Sequence, residues 1–185
     1  MPDVSRSVQQ GVGSGLLAGA MFATAQVVAA ITAGDPAVIA FRRSASVLLG
    51  PAALTTTPTA VAIVVGLIAH AYLATMYGLS YGVYSSVLSR PTRCSARRQA
   101  AIGALYGVAL WLVNFELFAR IVFPWLLAVS QPVQVFVHAA CFGVPLGLRY
   151  AAAERDAHQA LQLPLATVYR RATPFRRARR LRPPS

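Results

Sequence analysis

A chain of 185 residues that is 56% hydrophobic, with five acidic residues against 17 arginines and no lysine, is not composed like a soluble globular domain. No charged residue occurs between Ser7 and Gly34, between Ser44 and Ser89, or between Ile121 and Leu148, whereas a soluble helix must turn a polar face to water at every turn. The formal charge of +12 raises nucleic-acid binding, but the arginines cluster in particular connections, so they read as topology signals and no nucleic-acid partner is expected.

Apolar runs of about 20 residues match a hydrocarbon core about 30 Å thick. The expected fold class is therefore all-α: a polytopic membrane protein with four transmembrane helices over residues 1–162, followed by a tail over 163–185. Four spans and their connections use most of the length, leaving no room for a separate soluble domain. Cys94 falls in a basic loop and Cys141 inside a helix, so no disulfide framework is expected.

After a short polar start, the first span covers about residues 11–33. Gly11, Gly15 and Gly19 form a GxxxGxxxG row, a smooth edge on which another helix can pack closely. Ala23-Thr24-Ala25 resembles a signal-peptidase site after a short apolar region. Against cleavage, the one arginine before it is offset by Asp3, and the apolar run continues beyond Ala25. A retained helix is the expectation.

A long connection follows, broken at Pro36, Pro51 and Pro58. Its middle, AVIAFRRSASVLLG, has helical character and carries Arg42 and Arg43, which suits an interfacial helix better than a re-entrant piece. The second span, about 60–84, contains His70 and four tyrosines, and leads into a loop with Arg90, Arg93, Arg97 and Arg98. The third, about 100–123, carries Asn114, Glu116 and Arg120 in its second half and ends at Pro124-Trp125, an interface-type pair. Gln131-Pro132 opens the fourth, about 132–150, with His138 and Cys141 inside it. Residues 151–162 can continue as a polar helix. The remainder is rich in Pro and Arg without apolar periodicity and reads as a disordered tail.

Fourteen arginines fall on the side of the two termini and three on the other. By the positive-inside rule both termini are cytoplasmic, and the expected location is a bacterial inner membrane. Seven arginines, Arg170, Arg171, Arg176, Arg177, Arg179, Arg180 and Arg182, crowd the tail. Beside a bilayer they attract anionic lipid headgroups at about 1 kcal/mol per charge.

The first and third spans share a pattern. Gln26 follows Gly15 and Gly19, and Asn114 follows Gly103 and Gly107, at the same distances. At about 100° per residue each amide returns to its glycine edge, about 24 Å from the cytoplasmic end. The second and fourth spans match over Tyr77-Gly78-Leu79-x-x-Gly82-Val83 and Phe142-Gly143-Val144-x-x-Gly147-Leu148. Two copies of a helical hairpin in parallel orientation are expected. A pseudo-two-fold axis would then bring Gln26 and Asn114 together at the centre of the bundle.

The run LYGVALWLVNFELFARIVFPW, then HAACFGVPLGL, resembles a group of small bacterial integral membrane proteins with four spans and no known function. The likeness covers the second half well and the first span loosely. It implies an inner-membrane protein and transfers no catalytic residues.

Polar groups inside a membrane have a partner or a task. Glu116 as proton acceptor, with His70 and His138 as relays, would make a small ion or proton conduit. The competing reading is packing: amides hold helices together, and Glu116 with Arg120 is a favourable i,i+4 pair. His70 and His138 also suggest axial ligands of a haem in a four-helix bundle, though with no second pair, and no cofactor is expected. No nucleophile–base motif, phosphate loop or HExxH occurs, so an enzyme is not expected. The leading expectation is a structural or accessory membrane component, with glycine edges left over for a homo-oligomer or a membrane partner. Reporter fusions after Ser185 should be active only as cytoplasmic reporters, and those near Thr56 only as periplasmic ones. A periplasmic C-terminus would sink this topology.

Overall fold

The computed structural model describes residues 4–172, with side chains over 8–160. Every described element is helical. Helix α1 is Val4–Thr32, α2 Val38–Leu49, α3 Thr59–Ser86, α4 the single turn Arg90–Arg93, and α5 Ala96–Trp111. A π-helical segment, Leu112–Ala119, prolongs α5. The short α6, Gln131–Phe136, passes through a second π-helical segment, Val137–Gly143, into α7, Val144–Ala172.

Among the described residues, four helices are long and apolar enough to cross a membrane: Val8–Thr32, Thr59–Ser86, Ala96–Ala119 and Gln131–Ala160. The chain is thus an all-α polytopic membrane protein, and each expected span falls on one of these helices. The fourth runs well past 150. The backbone of α7 continues to Ala172, into the segment expected to be a disordered tail. Extending an existing helix needs no new nucleus, although Pro164 in this stretch disfavours it. The side chains of Arg170 and Arg171, and all of Arg176, Arg177, Arg179, Arg180 and Arg182, lie outside the described residues, so the lipid-contacting role expected of them does too.

Glycine sets how the spans pair. In the first hairpin, a methyl group on Gly15 would lie 2.7 Å from the Cα of Gly78, and one on Gly11 would lie 2.9 Å from the Cα of Gly82. In the second hairpin, Gly103 stands against Gly143 and Gly147 against Gln99 so closely that a methyl on either would overlap the facing carbonyl oxygen. Hydrocarbon tails supply no hydrophobic drive to bring helices together, so close backbone packing at small residues takes its place.

The end of the bundle near α4 is closed by polar anchors. Tyr81, Gln99, Leu146 and Tyr150 are fully buried there. The Tyr81 hydroxyl donates to Gln99 Oε1 at 2.5 Å, and Gln99 Nε2 to the Thr92 carbonyl. Arg93 pairs with Glu154 at 3.1 Å and also donates to the Ser86 carbonyl.

At the opposite end α2 lies against α3, with the Phe41 carbonyl pressed on Gly66, about 10 Å in from the start of α3. The turns that place α2 need glycine: Gly34 has φ +85° and Gly50 φ +71°, a region most side chains avoid. Arg42 donates to the carbonyls of Ala53 and Thr57, and Arg43 pairs with Asp35 at 2.7 Å. Trp125 Nε1 donates to Ser46 Oγ, which ties the turn after the third span to α2.

Gly78→Ala and Gly103→Ala should each destabilise the protein by about 1–3 kcal/mol through overpacking. Gly13→Ala, where an added methyl meets nothing within 4 Å, should be neutral or slightly stabilising. Unfolding of the detergent-solubilised protein measures all three, and equal effects at Gly13 and Gly103 would contradict the seam.

Candidate functional site: a cavity between the spans

The glycine contacts of α1 stop at Gly19, and those of α5 at Gly107. Beyond them the spans carry large side chains, and a cavity of about 340 Å³ opens under α2. Phe22 and Gln26 enter it from α1, His70 and Tyr77 from α3. Asn114 and Phe115 line it from the first π-helical segment, and His138 and Phe142 from the second. Such segments carry i→i+5 bonding, re-aim the side chains on them, and recur at functional sites. Both of them face this one space.

Each polar side chain in the wall makes at least one defined bond. Gln26 and Gln134 bond reciprocally: Gln26 Nε2 donates to Gln134 Oε1 at 2.6 Å, and Gln134 Nε2 to Gln26 Oε1 at 3.1 Å. Asn114 Oδ1 accepts from the Tyr77 hydroxyl at 2.6 Å. His70 Nε2 lies 2.8 Å from the Gly19 carbonyl oxygen, and His138 Nδ1 lies 2.8 Å from that of Gln134. A carbonyl only accepts, so these bonds assign the ring protons to Nε2 of His70 and to Nδ1 of His138. The second nitrogen of each ring keeps its lone pair.

The expected central pair of Gln26 and Asn114 does not form. Helix α1 packs along α3 and the fourth span rather than along α5, so Gln26 meets Gln134. Asn114 lies inside the π-helical segment, where winding departs from 100° per residue, and the extrapolation from Gly103 and Gly107 fails there.

Glu116 and Arg120 are separated from the histidines. They pair with each other at 2.7 Å, with side chains 38% and 59% exposed, and neither lines the cavity. His70 and His138 do share the cavity, with one aromatic ring packed against both. Phe22 stacks on His70 at 5.7 Å and meets His138 edge-on at 4.7 Å. Among the described residues no three His, Cys, Asp or Glu side chains converge as metal ligands would.

Gln134, Tyr77 and Phe22 are site residues that the sequence did not single out. Gln134 had a signal, standing four residues before His138 on the same helical face. Tyr77 and Phe22 had none, because an aromatic residue in a span reads as packing. Comparison with protein-family models, with curated proteins and with solved structures finds no match.

Gln26→Leu and Gln134→Leu should each destabilise by about 1 kcal/mol, and the double variant by less than their sum. The Gln26→Leu and Asn114→Leu pair should instead be additive. A double-mutant cycle read by unfolding in detergent distinguishes the two couplings.

Proposed function

We propose that this chain is an accessory component of a bacterial inner membrane that holds a small amphiphilic molecule in the cavity under α2. The carrying observation is the wall itself: about 340 Å³ of space lined mostly by apolar and aromatic side chains, with a few polar groups converging on it. That combination, at this size, characterises small-molecule sites. A site under α2 also stands near the membrane surface, where an amphiphile already resides.

The arginine asymmetry supports an orientation with both termini cytoplasmic, which sets the cavity in the outer half of the bilayer. The seams support the reading of two hairpin copies. Gly11 meets Gly82, Gly15 meets Gly78 and Gly19 meets Ala74; at the same sequence offsets Gln99 meets Gly147, Gly103 meets Gly143 and Gly107 meets Ala139. On this reading the cavity lies between the copies, and Gln26 and Asn114 are equivalent residues that each bond to the second span of the opposite hairpin. The conduit reading is less favoured, since its acceptor Glu116 pairs with Arg120 away from the histidines.

Solvent extraction and mass spectrometry of protein purified in mild detergent should yield one amphiphile in equimolar amount. Ala23→Phe, which places a ring in the cavity wall, should reduce it at least tenfold while leaving the fold intact. Equal yields from both proteins would mark the extract as surface lipid and overturn the proposal.

A further inference from the structure

The chemistry of the wall restricts what the cavity accepts. Arg43 is the one charged side chain lining it among the described residues, and its guanidinium is already held by Asp35 at 2.7 Å. An anionic head would find no unpaired cation, and a cationic head no free carboxylate. Burying either without a partner is costly. A neutral occupant meets this wall without stranding a charge.

Its hydrogen-bonding character follows from what the wall leaves unused. With Nδ1–H of His138 committed to the Gln134 carbonyl, its Nε2 is an acceptor. With Nε2–H of His70 committed to Gly19, its Nδ1 is another. His138 is the deeper of the two, with only 5% of its surface exposed. Two ring nitrogens on side chains that line the cavity, each with no further protein partner among the described residues, suit an occupant that donates. The amide nitrogen of Asn114, whose oxygen is taken by Tyr77, remains a donor for the same head's oxygen.

The rest of the wall restricts the shape. Phe22 and Phe115 meet His138 edge-on and Phe142 packs against Phe22, and a ring placed among aromatic edges and faces gains more than its area alone gives. A cavity of about 150 Å³ takes up benzene, so the space here admits a ring with part of a tail.

We propose that the cavity selects a neutral phenolic amphiphile, its ring hydroxyl donating to His138 Nε2 and its tail lying along the apolar wall. This rests on the reading of the cavity as a ligand site, and the two fail separately.

The test uses the full chain in detergent micelles, with affinities taken from ligand-dependent thermal stabilisation. The probes are 4-hexylphenol, 4-hexylanisole, which has the same ring and tail but no hydroxyl hydrogen, and hexylbenzene. The phenol should bind roughly tenfold tighter than the anisole, the worth of one buried hydrogen bond. In His138→Asn, whose amide can still donate to the Gln134 carbonyl, that preference should fall to near unity while the ligand-free unfolding temperature is maintained. Ala23→Phe should abolish binding of all three.

Equal binding of phenol and anisole by the unmodified protein would overturn the hydroxyl-donor inference and leave the cavity as a site for apolar molecules. Binding of no probe, together with no extracted amphiphile, would overturn the proposed function itself. Should His138→Asn fail to fold, the phenol-to-anisole ratio of the unmodified protein decides alone.

Discussion

Close backbone approach at the glycine seams is the constraint on which the rest of this structure depends. In a membrane, apolar side chains on two helices gain little by leaving lipid for each other, so contact must come from shape. Gly15 on Gly78 and Gly103 on Gly143 bring main chains together where any side chain would hold them apart. Both seams run through the half of the bundle near α4, and both give way toward α2 to Phe22, Phe115 and Phe142. Glycine seams, with Tyr81, Leu146 and Tyr150 buried beside them, close the bundle at one end, and where the seams stop a cavity opens toward the other.

Polar groups follow the same division. Near α4 they finish each other: Tyr81 with Gln99, and Arg93 with Glu154 and the Ser86 carbonyl. In the hollow half they are satisfied in part. The two glutamines close a reciprocal pair, but each histidine commits one nitrogen to a main-chain carbonyl and keeps the other. An unsatisfied polar atom in a bilayer is expensive, which is why the proposed occupant is one that donates to this wall. The two π-helical segments serve this half alone, turning Asn114 and His138 into the space.

Much of the architecture was legible in the residues. Four spans could be read because hydrocarbon thickness imposes a length and excludes charge, and that constraint acts on each segment separately. The glycine edges were visible because every fourth residue of a helix shares a face. The pairing of Glu116 with Arg120 followed from i,i+4 spacing within one helix. The helical character of the stretch that carries Arg42 and Arg43 was legible too, and it forms α2.

What the residues could not disclose involves two segments at once. Gln26 looked toward Asn114 because equal spacing from two glycine pairs suggested equal placement. The amide it meets is Gln134, since helix neighbours are chosen by the packing of whole faces. Asn114 escaped extrapolation because a π-helical turn changes the angle per residue, and that turn is stabilised by surroundings rather than by local propensity. His70 and His138 were visible as unusual residues, but their tautomers, the ring of Phe22 against them and the cavity they share exist only once four helices are assembled. The sequence by itself determined length, hydropathy and the small-residue faces, because each is a property of one helix in a bilayer. The tertiary structure decided which polar atoms find partners and which are left facing a cavity, because a hydrogen bond across helices depends on the position of both.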